Sequence, residues 1–189
     1  MSTPEAHTPL RSARIRSPGG RLQLGEMSHG VRLMVRGERS AVARALEPEG
    51  LSLPDTPLTF RTRKAVRIAW LGPDEWLIEA SPETRLADAA ALRARLGEDG
   101  TALDLSHQFA AISISGPPTR ALLKAGCPID LDRAAPGLAT RTLYGKAEVV
   151  LFLEDEAARL LTGRSFARYL WELLRFHATE LDPPASEPA

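Results

Sequence analysis

The stretch EMSHGVRLMVRG, Glu26–Gly37, has a counterpart in DLSHQFAAISISG, Asp104–Gly116. Each reads acid, apolar residue, Ser-His, an apolar run and a closing glycine, and the two glycines lie 79 positions apart. In GVRLMVRG, Val31, Leu33 and Val35 alternate with Arg32, Met34 and Arg36, the period of two of a half-buried strand. FAAISISG reads as a second strand. The sequences that follow are alike as well. After Gly37, Ser40 can cap a short helix bearing Val42, Ala45 and Leu46, which Pro48 stops. Lys64–Ser81 reads as a hairpin turning at Gly72-Pro73-Asp74-Glu75. Ser81–Gly100 then predicts a long helix, with Ser81 as cap, Pro82 in its first position and Leu86, Ala89, Leu92 and Leu96 as its apolar stripe. After Gly116, Pro117–Gly126 is a short helix and Thr140–Gly163 gives two or three strands. Arg164–Ala178 is a helix that buries Phe166, Leu170, Leu173 and Leu174.

Both halves therefore run strand, short helix, connection, hairpin, long helix. The fold class is α+β, built from two related β-α-β-β-α modules by internal duplication. The modules cover residues 26–100 and 101–180. A flexible N-terminal arm, residues 1–25, precedes them, and a Pro-rich C-terminal tail, residues 181–189, follows.

Composition removes several classes of function. With 24 basic and 24 acidic side chains the net charge is zero, which argues against nucleic-acid binding, a process driven by neutralising phosphates. The N-terminus lacks the apolar core of a signal peptide and no apolar run reaches bilayer length, so a cytoplasmic protein without a membrane partner is expected. The single cysteine, Cys127, rules out an internal disulfide and reads as a buried apolar residue.

The candidate chemistry is sparse. Ser28-His29 and Ser106-His107 are adjacent pairs, and neighbouring strand residues point to opposite faces, so neither makes a nucleophile–base pair; both read as strand-ending residues bonded to local backbone. His7, His29, His107 and His177 lack metal-ligand spacing, and no glycine-rich nucleotide loop occurs. Asp74 and Glu75 read as a solvent-facing acid pair. Arg61, Arg63, Lys64 and Arg67 form the one dense basic cluster, either a charged edge strand or a partner surface. Aromatic residues and Arg are favoured at interfaces, so Trp70, Trp76, Arg61, Arg63 and Arg67 are the candidate contact residues. The expected catalytic, cofactor and metal residues of this chain are none.

LGPDEWLI, DLSHQFAAISISGP, GCPIDLD, RTLYGKAEVVLF and RSFARYLWELL, in that order and spacing, resemble the gamma subunits of heterotetrameric sarcosine oxidase over residues 25 to 180. Those subunits are similar in turn to the folate-binding module of aminomethyltransferases, whose Ser-His-strand-Gly-Pro segment Ser106–Pro117 echoes. The resemblance implies a scaffold with its chemistry removed. LYGKAEVVLF has one glycine and only Glu148 nearby where folate-binding relatives place a double glycine and an acid, and KAGCPIDLD departs from the KGCYxGQE motif of the iron–sulfur-maintenance relatives. It further implies a complex that demethylates sarcosine with oxygen and tetrahydrofolate. FAD, FMN, NAD, tetrahydrofolate and zinc would sit on the alpha, beta and delta subunits. An autonomous folate-binding or one-carbon transfer protein is the alternative, with His107, Arg141 and Glu148 lining a pocket. A free-standing protein of unrelated binding function is a third.

Overall fold

The computed structural model describes residues 8–184 except positions 29, 82, 85 and 87. The elements open with β1 (Arg14–Arg16) and β2 (Gln23–Glu26). β3 (Val31–Gly37), α1 (Arg39–Leu46), β4 (Phe60–Arg63), β5 (Val66–Gly72), β6 (Glu75–Ala80), α2 (Ala89–Leu96) and β7 (Gly100–Asp104) follow. The second half runs β8 (Phe109–Ser115), α3 (Thr119–Lys124), β9 (Ala139–Tyr144), β10 (Ala147–Leu153), β11 (Ala157–Gly163) and α4 (Ala167–Leu181). The chain forms two compact units. The β3 unit comprises His29–Gln108 and Gly137–Thr140; the β8 unit comprises Met1–Ser28, Phe109–Pro136 and Arg141–Ala189.

The two sheets match strand for strand. One has the order β4-β5-β6-β3-β7, the other β9-β10-β11-β8-β2, with β1 added at the edge. β2 leads into β3 along the chain yet pairs with β8, and β7 leads into β8 yet pairs with β3. The two Ser-His segments are thus the crossovers at which the chain leaves one sheet for the other. Backbone hydrogen bonds repeat at equivalent positions. The Met27 N–H donates to the Ala111 carbonyl and the Leu105 N–H to the Arg32 carbonyl, both at 2.8 Å. The Gly37 N–H reaches the Asp74 carbonyl at 3.0 Å, as the Gly116 N–H reaches that of Glu156 at 2.8 Å.

The closing glycines do equivalent work. A Cβ on Gly37 would stand 2.6 Å from the Asp99 carbonyl oxygen, and one on Gly116 would stand 1.9 Å from that of Arg21. Each lets the start of the neighbouring strand, β7 or β2, pass closer than any side chain permits.

In the β3 unit one face of the sheet is covered by α1 and α2. Leu33, Val35, Ile68, Trp76 and Ile78 meet Val42, Leu46, Leu92 and Leu96 there. Much of the opposite face is buried as well, although Arg36 and Leu103 on it are exposed. Arg32 and Met34, expected on the solvent side of a half-buried strand, are buried, and the Arg32 guanidinium donates to Glu79 at 3.1 Å across the β3–β6 pair. Alternation survives, but it separates two buried environments, one of them bridged by charge.

Four expectations need correction. Residues 8–25 are not a flexible arm: Leu22 and Leu24 are buried, β2 pairs with β8, and the buried Glu26 carboxylate accepts hydrogen bonds from Thr8 Oγ1 and the N–H groups of Leu10 and Ser12. The tail begins with a clasp instead of a free end. Asp182 is buried, its carboxylate accepts from Ser17 Oγ and the Arg21 N–H, and its carbonyl accepts from the Gly19 N–H. The long helix before β7 starts at Ala89 with Asp88 as cap, because the Asp88 carboxylate captures the Ala91 N–H; Ser81 bonds Thr84 instead, and Pro82 lies outside the described residues. Ser40 does not cap α1; the Glu38 carboxylate does, accepting from the Ser40 N–H and hydroxyl.

The clasp makes acid stability testable. Ser17's hydroxyl, then the Arg21 N–H, hold the Asp182 carboxyl below its ordinary range. A depressed carboxyl adds stability above its unfolded pKa and loses it as the pH falls through the folded value. Asp182→Asn is expected to lower the melting temperature at pH 7, with the gap to wild type closing below about pH 4. Thermal scans between pH 3 and 8 check this, and a constant gap would contradict it.

Candidate functional site

The second Ser-His segment holds backbone through Ser106. Asp104, at the end of β7, accepts hydrogen bonds from the Ser106 N–H and hydroxyl, and the Ser106 oxygen accepts the Arg32 N–H at 3.0 Å. Those bonds, the hydroxyl's first, keep the Asp104 carboxyl below its usual range. With its proton on Asp104 and a lone pair on Arg32, Ser106 pins the crossover to β3. His107 is exposed, and His29 lies outside the described residues. The two acids of the repeat have diverged: Glu26 ties down residues 8–12 and Asp104 closes a tight local turn.

Cys127 is buried, and burial pushes its thiol up to about 12, the opposite of what a nucleophile needs. Close by in the chain fold, the Tyr144 hydroxyl lies 3.0 Å from the Leu122 carbonyl and 2.7 Å from His177 Nδ1. Burial lowers the His177 pKa and raises that of Tyr144, which keeps both neutral near pH 7. The Tyr144 ring also occupies the space that a Cβ on Gly126 would need, so this polar pair fixes α3 and α4 relative to β9. Among the described residues no group of three or more His, Cys, Asp and Glu is placed to hold a metal ion.

The candidate contact residues divide among different environments. Trp76 is 0% exposed and belongs to the core of the β3 unit. Arg67 is buried too, with its guanidinium 4.7 Å over the Phe60 ring. The cause is the strand period. Arg61 and Arg63 pair with Ile68 and Val66 on the helix side of the sheet, whereas Arg67 pairs with Thr62 on the other side. A cluster that looks dense in sequence is thus split across two faces. Arg61 and Arg63 remain exposed, Arg61 in an ion pair with Asp55. Glu75, expected in solvent, is buried at the start of β6 and ion-paired to Arg36, its cross-strand neighbour; Asp74 alone faces out.

Trp70 keeps a surface role within reach. It is half-buried, stacks on Trp76 with ring centroids 6.2 Å apart, and carries the Arg39 guanidinium 4.5 Å over its ring. With Pro57, Leu58, Leu71, Gly72 and Pro73 it lines an open apolar cleft of about 380 Å³. This cleft can accept an apolar side chain; it offers no acid, base or nucleophile. Arg141, on β9, and Glu148, on β10, are exposed in the β8 unit, while His107 belongs to the β3 unit.

Sequence reasoning also misassigned part of α4. Phe166 is exposed and Leu173 half-buried, while Trp171 takes the core position beside Leu170 and Leu174. The available signal was a surplus: α4 carries more large apolar residues than one buried stripe can use.

The family model for the sarcosine oxidase gamma subunit matches residues 37–180. The chain belongs to the sarcosine oxidase gamma subunit family. The match starts at the closing glycine of β3 and runs to the last turn of α4. The gamma subunit of sarcosine oxidase from Corynebacterium sp. strain P-1 is 32% identical over 158 residues, covering 79% of this chain and 75% of that one. The gamma subunit from Corynebacterium sp. strain U-96 is 33% identical over 106 residues, covering 54% and 51%. In structure, a chain of heterotetrameric sarcosine oxidase from Corynebacterium sp. U-96 superposes with a TM-score of 0.80 at 25% identity, covering 97% of this gamma-family chain and 99% of its own length. Aminomethyltransferase T from Bartonella henselae shares the fold, with a TM-score of 0.58 at 16% identity over 84% of this chain and 46% of that one. The expected family and fold class are both borne out.

Proposed function

We propose that this chain is a gamma subunit of a heterotetrameric sarcosine oxidase and acts there as a structural, non-catalytic subunit. The observation that carries the reading is the end-to-end correspondence with one chain of such an oxidase, nearly complete in both directions. The complex would convert sarcosine, oxygen and tetrahydrofolate to glycine, hydrogen peroxide and methylenetetrahydrofolate in the cytoplasm. FAD, FMN, NAD, tetrahydrofolate and zinc would reside on the alpha, beta and delta subunits, which are the partners of this chain. Consistent with a scaffold, these polar groups are engaged in holding the fold: Ser106 on Asp104 and Arg32, His177 on Tyr144, and Cys127 protonated in a buried site.

Purifying the tagged chain from its host tests the assembly. Co-purification with larger chains, a flavin absorbance band and sarcosine-dependent peroxide are expected; a colourless chain at monomer mass would overturn the proposal. The non-catalytic role is tested on the assembled complex. His107→Ala, Arg141→Ala and Glu148→Ala should each leave turnover per flavin unchanged. A lost rate at full assembly would favour folate binding by this chain.

A further inference from the structure

Helix α4 carries two apolar stripes, and the fold uses one of them. Ala167, Leu170, Trp171, Leu174 and Ala178 are buried. Tyr169, Leu173 and Phe176 form a second stripe on α4 with spacings of four and three, and Phe166, at the end of the 3-10 turn that leads into the helix, packs on Tyr169 and extends it. Phe176 is 61% exposed, and Phe166 and Tyr169 are exposed at 45% and 40%. The rings are ordered against neighbours: Phe166 meets Tyr169 edge-to-face at 6.2 Å, and Phe176 lies 5.7 Å from the His177 ring. The β9–β10 turn flanks the stripe, since the Lys146 N–H donates to the Tyr169 hydroxyl and a Cβ on Gly145 would stand 2.6 Å from Leu173 Cδ2.

The duplication supplies an internal control. Helix α2 holds the equivalent place after its own hairpin, and its outward residues are Ala90, Arg93, Ala94 and Arg95. The architecture therefore does not require aromatic residues on this side of the helix. Exposing three large rings costs solubility, and such stripes mark contact surfaces.

We infer that the outward stripe of α4 is an anchor for another subunit of the oxidase, a protein surface with an apolar recess rimmed by carboxylates. This rests on the proposed membership of the complex. Charge selects the partner. Arg168 and Arg175 stand on α4 with the stripe and Lys146 in the turn that flanks it, against Glu172, ion-paired to Arg175 at 2.9 Å, and Glu180. A second copy of this chain would bring cations against cations. Size disfavours self-association too: residues 166–176 span about 15 Å of helix, too little to supply alone the roughly 800 Å² per side of a stable dimer. As part of a broader contact the stripe is sufficient, because a few ordered aromatic anchors carry most interface energy. The family match, which runs to residue 180, includes the whole stripe.

The test uses the co-expressed complex carrying Phe176→Glu, Arg168→Glu or, as control, Ala94→Glu on α2. All three sites are exposed, so each chain should melt near the wild-type temperature when purified alone. Recovery of the other subunits with the tagged chain is expected to fall about tenfold or more for Phe176→Glu. For Arg168→Glu it should fall less and lose its salt dependence, and it should not change for Ala94→Glu. Recovery by Phe176→Glu equal to wild type overturns the inference while leaving complex membership intact. Absence of flavoprotein partners from the wild type itself fails the functional proposal first, and the inference falls with it. Binding of the wild-type chain to anionic phosphatidylserine vesicles, abolished by Phe176→Glu with assembly unaffected, assigns the stripe to a membrane surface and overturns it. A wild-type dimer broken by the same substitution, with assembly unaffected, does the same for a second copy.

Discussion

Gly116→Ala is expected to destabilise the chain by about 3 kcal/mol, a loss of roughly 6–12 °C in melting temperature for a chain of this size. The added Cβ would fall 1.9 Å from the Arg21 carbonyl oxygen, with Leu22 Cα at 3.4 Å, and the φ of +124° is already unfavourable for a side chain. Backbone on both sides must move, and β2 is the side held by fewer residues. The damage should therefore be local first. Amide exchange at Leu22 and Leu24 should accelerate before that of β10 and β11. Gly37→Ala should do the same to β7, where the clash is with Asp99 and Gly100. Gly97 provides the comparison: its φ is +59° but nothing lies within 4 Å, so Gly97→Ala should cost only about 1 kcal/mol. Equal stabilities for the Gly116 and Gly97 variants would refute the close-approach account.

The second large effect is at Trp76. Its ring is fully buried among Val42, Leu92 and Ile78 in the β3 unit, and Trp76→Ala is expected to cost about 3–5 kcal/mol. The loss should appear in urea or thermal unfolding of the chain purified alone, before any partner is added. Trp76→Phe should be mild. The indole Nε1 is buried with no hydrogen-bond partner among the described residues, so Phe gives up volume but also removes an unsatisfied donor. An alanine variant of wild-type stability that nonetheless failed to assemble would return Trp76 to the interface.

Legibility followed the range of the interactions. The hairpins β5–β6 and β10–β11 were readable because alternation and turn residues are local signals, and the paired strands are neighbours in sequence. The exchange of β2 and β7 was not. Gln23–Glu26 holds only one large apolar residue, and its partner β8 is far away in sequence, so no period announces it. Cap choice failed for a related reason. Ser81 and Asp88 both suit an N-cap, and propensity alone does not rank two good candidates separated by less than a helix length. The Trp and Arg contact set was read from residue type, which does not report burial, and it divides between the surface, with Arg61, Arg63 and Trp70, and the interior. Trp76 and Arg67 satisfy the type and are buried, whereas Phe166 was assigned to the buried face of its helix and is exposed.

The sequence by itself determined the repeated order of elements, the α+β class and the family, since each rests on local periodicity, turn chemistry and the order of short motifs. It also located Ser106 as strand-ending structure. Tertiary structure alone decided that the Ser-His segments are crossovers between sheets, that Arg32 of β3 is buried against Glu79 while Arg36 stays exposed, and which of two apolar stripes on α4 is left outside. Those outcomes depend on what covers each face. A strand or helix pattern states only that its faces differ; burial is a property of neighbours brought together across long stretches of chain.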